Sequence, residues 1–270
     1  MVSQSLFMKT MAAAANRLAS ITAGRIIHSS SWLLLLVLLI QGTVRATTPE
    51  ELFTMGSQAY TAGGYEQAAR AFAEAAAALP TSGTLRNLGN AEWQSGHAGK
   101  AILAWERAQW LDPFSQDVRS NLRFARKAAQ LESPELAWYE ICSEWLPVNV
   151  WGWLATFSFW LAVSMVLLPG ILRWRKTDWH QGLAAAGFAL FLLTLPALFG
   201  VHTRTRLGII LPKDAPLRLT PTKDAQVLAK LPAGEMARVE SRRGNYVFIR
   251  TGGASGWLEQ SQFGVIAARN

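Results

Sequence analysis

Two uncharged stretches constrain this chain most. Val148 to Leu172 (VNVWGWLATFSFWLAVSMVLLPGIL) carries no ionisable residue, and as a helix rising about 1.5 Å per residue it reaches roughly 37 Å, enough to cross hydrocarbon. Gly182 to Val201 (GLAAAGFALFLLTLPALFGV) is equally free of charge, about 30 Å long by the same geometry. A single Arg at mid-span would cost ~3 kcal/mol. The two runs are therefore expected to be transmembrane helices at 148–172 and 182–201. The alternative, two buried helices of a large soluble domain, needs a partner core that the flanking sequence does not offer.

Between the runs, residues 173–181 hold Arg173, Arg175 and Lys176, whereas the approach to the first run carries Glu135, Glu140 and Glu144 with no Lys or Arg after Lys127. The positive-inside bias places the turn in the cytoplasm and both outer ends in the other compartment, although Arg204 and Arg206 argue mildly the other way. Trp145, Trp151, Trp153, Trp174 and Trp179 fall where interfacial aromatic belts belong. The small-residue start Gly182-Leu-Ala-Ala-Ala-Gly187 suits close helix approach. No ionisable group inside either run suggests a conduction path, so the pair reads as an anchor.

Residues 1–46 read as a signal peptide. Lys9, Arg17 and Arg25 precede the short apolar run Trp32–Ile40, and QGTVRA ends in a Val-x-Ala pattern suited to cleavage after Ala46. An uncleaved signal anchor is the alternative, and Met8 and Met11 are alternative starts. Either outcome exports the chain from Thr47 onward.

Residues 47–130 contain a repeat. Leu52, Gly56, Gly63, Tyr65, Ala68, Phe72, Ala75 and Pro80 recur 33 positions later as Leu85, Gly89, Gly96, Ala98, Ala101, Trp105, Ala108 and Pro113. Small residues at fixed places in such a period indicate stacked helix pairs. Gly56 and Gly89 permit close contact within a pair, Phe72 and Trp105 fill the space between pairs, and Pro80 and Pro113 end the second helices. The segment resembles the tetratricopeptide repeat, closely so over NLGNAEWQSGHAGKAILAWERAQWLDP. Ala98 departs from that family's usual aromatic, so looser packing is expected there. Asp117 to Gln130 restarts the pattern and stops, as a polar cap with Arg123, Arg126 and Lys127 outward. Two units and a cap lie near the lower limit of stability, so a partner or the membrane surface is expected to support them.

The tetratricopeptide resemblance implies a concave binding face built from the first helices. By register Phe53, Ser57, Tyr60, Arg86, Asn90, Trp93, Ser120 and Phe124 point there. Arg86 and Asn90, one helical turn apart, could hold a carboxylate between them; the alternative has Asn90 bonding the repeat backbone and Arg86 solvated.

The remaining segments are tethers and a small domain. Residues 131–147 read as an interfacial linker broken at Ser133-Pro134, and 202–206 as a short tether whose Arg204 and Arg206 reach lipid phosphates. Residues 207–268 show short apolar runs between turn signals, at 208–211, 216–219, 226–231, 235–240, 246–250 and 256–259, as in a compact barrel of five or six strands. This segment resembles the bacterial SH3-like (SH3b) family through Leu217, Arg218, Pro221, Pro232, Gly234, Gly244, Tyr246, Gly256 and Trp257. Trp257 and Val247 are expected in the core. The resemblance implies binding of cell-wall glycopeptide or protein segments.

The expected fold is thus multi-domain: an all-α tetratricopeptide solenoid, a two-helix transmembrane hairpin and a small all-β SH3-like barrel. That order of parts resembles the BatE family of the bacterial Bat aerotolerance system. The resemblance implies an inner-membrane location with both modules on the periplasmic side, membrane-anchored von Willebrand factor A-type Bat proteins as partners and, indirectly, a MoxR-type ATPase. Function is expected to be that of a membrane-anchored, non-enzymatic scaffold; the alternative is a cell-wall adaptor whose SH3b domain binds peptidoglycan.

Composition restricts the chemistry. The net charge of +8 is spread over the termini and the hairpin and is not gathered on one element, against a nucleic-acid binder. The single Cys142 allows neither an intrachain disulfide nor a dithiol exchange site. His28, His97, His180 and His202 lie in four separate segments, without metal-ligand spacing, phosphate loop or nucleophile motif. No catalytic residue, cofactor or metal is expected.

Overall fold

In the computed structural model the described residues are 47–131, 136–172 and 178–267. The expected signal peptide, the Ser133-Pro134 break and the RWRK turn lie outside them. Five helices come first: α1 (Pro49–Thr61), α2 (Tyr65–Ala78), α3 (Ser82–Gln94), α4 (Ala98–Leu111) and α5 (Gln116–Ala128). Thr48 opens α1 with a reciprocal cap, its Oγ1 accepting from Glu51 N at 3.2 Å while Glu51 Oε2 accepts from Thr48 N at 3.1 Å. Thr81 caps α3 through Thr84 N.

The second helix pair repeats the first. Gly63 (φ 79°) and Gly96 (φ 82°) make the turn inside each pair in the left-handed region that favours glycine. A Cβ on Gly56 would lie 2.8 Å from the Phe72 ring, and one on Gly89 would lie 2.5 Å from Trp105 Nε1. Each glycine thus lets the large ring of its own pair's second helix lie against the first helix. Val118, Leu122 and Ala125, one face of α5, close the stack and are buried.

A short helix α6 (Trp138–Ser143) precedes two long ones, α7 (Val148–Ile171) and α8 (Asp178–Arg204). Both are long and apolar enough to cross a membrane. They pack on each other through small residues. On α7, Ala155, Ser158 and Ala162 are buried, and on α8 a Cβ at Gly187 would come within 3.0 Å of Ser158 O. The opposite faces are bare: Trp153, Phe157, Trp160, Val166, Leu193 and Phe199 are all more than half exposed. Core helices of a soluble domain would be covered there.

Two readings of the flanking segments are corrected. Residues 202–206 are not a free tether, because α8 runs unbroken to Arg204 and a single turn leads into the sheet. The described part of 131–147 is not merely a linker, because α6 packs against the last turns of α8, and Tyr139 O leaves no room for a Cβ at Gly200. Trp151 is likewise no belt residue; it is buried, with Nε1 donating to Ser143 O at 3.2 Å.

The C-terminal domain is an antiparallel SH3-like sheet of seven strands: β1 (Leu207–Ile210), β2 (Ala215–Arg218), β3 (Val227–Leu231), β4 (Met236–Arg243), β5 (Tyr246–Arg250), β6 (Ser255–Glu259) and β7 (Phe263–Val265). Their order is β3-β2-β6-β5-β4-β1-β7. Seven strands form where five or six are expected, since the three-residue β7 after a 3-10 turn is too short to leave a sequence signal. The strands share one core, from Ile210 through Leu217, Val239, Ile249 and Leu258 to Phe263.

The largest departure concerns how the modules meet. Strands β1 and β7 lie on α4, and Leu207, Ile209 and Ile266 share one core with Leu85, Ile102, Leu103, Trp105, Val118 and Leu122. β1 is buried along its whole length, as a strand covered on both faces must be: Ile210 enters the sheet's own core while Leu207 and Ile209 enter the helical one. The chain's own last domain therefore supports the helical stack.

Candidate interaction site

The first helices α1, α3 and α5 place all eight expected contact residues, but in different states. Phe53 stacks edge-on to Phe72 at 5.5 Å, and Tyr60 to Tyr65 at 5.3 Å. Trp93 lies between Trp105 and Phe124, at 5.9 and 5.6 Å between centroids. Phe124 keeps 61% of its surface exposed. Ser120 is exposed and accepts from Arg123 Nη2 at 3.3 Å. Ser57 Oγ donates back to Phe53 O at 2.9 Å, the usual resting state of a helical serine.

The carboxylate clamp expected at Arg86 and Asn90 is not available. Arg86 Nη1 is held at 2.9 Å by Asp117 Oδ2 of α5. Asn90 Oδ1 accepts from Trp105 Nε1 at 3.1 Å and from Asn121 Nδ2 at 2.9 Å. Its carbonyl therefore serves the stack, bonding side chains of α4 and α5 and not the repeat backbone. A buried indole N–H needs an acceptor, and Asn90 Oδ1 shares that role with Arg86 O, 3.2 Å from Nε1 on the same helix.

A pocket of about 150 Å³ opens between α1 and α3, lined by Ser57, Tyr60, Thr61, Phe72, Asn87 and Asn90. It brings together three expected residues, Ser57, Tyr60 and Asn90, with Asn87 and Thr61, which sequence reasoning misses. The Asn87–Asn90 spacing of one turn is the signal that points to them. The pocket offers amide groups and aromatic surface, and Phe124 of α5 presents a separate exposed ring, the kinds of group that protein interfaces favour.

Where α4, α5, α6, α8 and β4 meet, the charges are buried and paired. Glu140, with no exposed surface, lies 2.9 Å from Arg238 Nη2 through each carboxylate oxygen, and accepts from Ala137 N at 3.0 Å. Arg238 Nη1 donates to Thr203 O at 3.2 Å. Arg204 bonds Glu144 Oε1 at 3.0 Å and Ser143 Oγ at 3.1 Å, with its guanidinium 4.8 Å from the Trp110 ring centre. Arg204 is therefore not a lipid contact, contrary to expectation. Glu106 pairs with Arg126; burial pushes its carboxyl above the ordinary range, and Arg126 pulls it part of the way back. Such pairs add little net stability over apolar residues of the same size, but losing one partner is costly.

On the sheet, Val247 is in the core as expected, but Trp257 is not. It stands opposite Phe248 in register, and the two rings meet edge-on at 5.3 Å on the outer face. The alternation of β6 decides this: Gly256 and Leu258 point inward, so Trp257 points out. Among the described residues no group of three His, Cys, Asp or Glu is placed to hold a metal ion.

Comparison with known families places the sheet. The family model described as a bacterial SH3 domain matches residues 212–263, so the C-terminal domain is of the bacterial SH3 type. That stretch contains β2 to β6 and only the first residue of β7; β1 and Gly264–Ile266, which meet the helices, fall outside it. The comparison with curated proteins gave no match.

Proposed function

We propose that this protein is a non-enzymatic, membrane-anchored scaffold: α7 and α8 cross the bilayer, and the helical repeats and SH3-like domain hold protein partners on the extracytoplasmic side. The observation that carries the reading is the pairing of two helices bare of cover on their apolar faces with a helical face that carries the pocket of Ser57, Tyr60 and Asn90 and, separately, the exposed ring of Phe124. The helix pairs support a tetratricopeptide assignment through their common 33-residue spacing and the Gly56–Phe72 and Gly89–Trp105 contacts. Within that assignment the chain acts in a BatE-type aerotolerance complex, with von Willebrand factor A-type membrane proteins as direct partners and a MoxR-type ATPase acting through them.

The test is partner capture by the full chain from solubilised membranes. Phe124→Glu alters an exposed ring and leaves the buried stack intact. Loss of the von Willebrand factor A-type proteins from the captured set, with an unchanged melting curve, is the expected result. Their retention at parental yield contradicts that helical face as the binding surface.

A second reading, peptidoglycan attachment through the SH3-like domain, is favoured by the outward Phe248–Trp257 pair. Sedimentation of the full chain with purified sacculi, lost in Trp257→Ala, would support it. The domain alone is unsuitable for this assay, because removing the helices exposes Leu207, Ile209 and Ile266.

A further inference from the structure

Where the first helix pair has Tyr65 packed on Tyr60, the second has Ala98. The missing ring is not replaced by closer packing. Ala98 instead borders a groove of about 640 Å³ whose far wall is the SH3-like domain, with Leu211, Pro212 and Pro232 facing it. Neither module forms this groove alone.

Its chemistry is one-sided. The walls are mainly apolar, and the cations on its rim are Lys100 and Lys213, both exposed. Among the described residues no carboxylate lines it. His97, also on the wall, is occupied, with Nδ1 2.8 Å from Glu92 Oε2. Gln262 also lines it, and its buried Oε1 has no hydrogen-bond partner.

We propose that this seam groove binds an extended acidic segment of a protein partner. An apolar side chain of the segment fills the space beside Ala98, and its carboxylates meet Lys100 and Lys213. A strongly basic or uncharged segment would leave both ammonium groups without counter-charge. The site is separate from the face of α1, α3 and α5, so it adds a second contact to the scaffold reading and does not depend on Phe124.

The experiment uses the full chain in its own membranes, with photoreactive benzoylphenylalanine at Pro232 on the seam or, as control, at Phe124. Crosslinked segments are identified by mass spectrometry. The expected result is a Pro232 adduct on a segment with at least two carboxylates flanking an apolar residue. Ala98→Tyr, which restores the ring found in the first pair, should abolish it, and Lys213→Glu should cut it at least five-fold, both with the Phe124 adduct unchanged. If Ala98→Tyr misfolds, as loss of the Phe124 adduct would reveal, the exposed Lys213→Glu decides alone. A Pro232 adduct to muropeptide, to lipid or to a segment without acidic residues overturns the proposal. So does the absence of any adduct, or one indifferent to Lys213→Glu. A seam that fails while the Phe124 adduct persists leaves the scaffold reading standing.

Discussion

Arg107 of α4 donates from Nε and Nη2 to the carbonyl oxygen of Val265 in β7, at 3.1 and 2.8 Å, joining residues 158 positions apart. Burial lowers the guanidinium's pKa from its ordinary value, which reflects how far water has been removed from it. The carbonyl dipole is what offsets that loss. Arg107→Ala should therefore lower the stability of the full chain by about 1–3 kcal/mol, read as a lower melting temperature, and should speed protease cleavage near Val265. An unchanged melting curve would mean that helices and sheet are not held together there.

The same seam is tight enough for a pairwise test. Leu103 leaves no room for a Cβ at Gly264. Gly264→Ala should cost about 1–3 kcal/mol by overpacking, and Leu103→Ala about 2–5 kcal/mol by its cavity. Together they should cost less than their sum by at least about 1 kcal/mol. Strict additivity in thermal or denaturant unfolding would contradict the contact.

Glu140, which has no exposed surface, has as its charge partner Arg238, whose side chain is 32% exposed. Arg238→Met strands that carboxylate and should cost about 3–5 kcal/mol, whereas Glu140→Gln with Arg238→Met should recover most of the loss. A double variant no better than Arg238→Met would show that the pair does not act as a unit.

Glu106 gives a pH signature. Its folded-state carboxyl titrates above the ordinary value of 4.5, chiefly through burial. The neutral form is thus favoured by folding: the contribution is full below the unfolded value and is lost as pH rises through the folded one. Glu106→Gln should remove this fall, so the stability of the parent relative to the variant should decline as pH climbs above about 4.5. A parent that gains on the variant over that range would have the opposite sign.

Much of this architecture is legible in the residues because it rests on local rules. The 33-residue spacing of Gly56–Phe72 and Gly89–Trp105 fixes which helix faces which, and charge exclusion over 148–172 and 182–201 marks the long helices from composition alone. The seam leaves a fainter signal. Ala101-Ile-Leu-Ala-Trp105 has no polar position where α2 has Arg70, and a helix apolar all round must be covered on two sides. Gly208-Ile-Ile-Leu211 likewise lacks the alternation of a strand with one wet face. Neither segment has a visible partner in its own neighbourhood of the chain, and each is the other's.

Elsewhere the residues mislead for other reasons. Arg86 and Asn90 carry the right chemistry for a clamp, but Asp117 and Asn121, each 31 residues farther on in α5, claim them first. Trp257 has the size of a core residue, yet parity along β6 turns it outward. Arg204 has the position of a lipid contact, and no local pattern shows that Ser143 and Glu144 fold back from the end of α6 onto the end of α8.

The most direct test is the side of the membrane on which both modules stand. With Cys142→Ser as background, single cysteines at Ser120 and Ser255, both exposed, are treated with a membrane-impermeant maleimide in intact spheroplasts. Both should label fully before lysis. Protection of both until lysis would contradict the extracytoplasmic scaffold, and labelling of only one would contradict the shared core of helices and sheet.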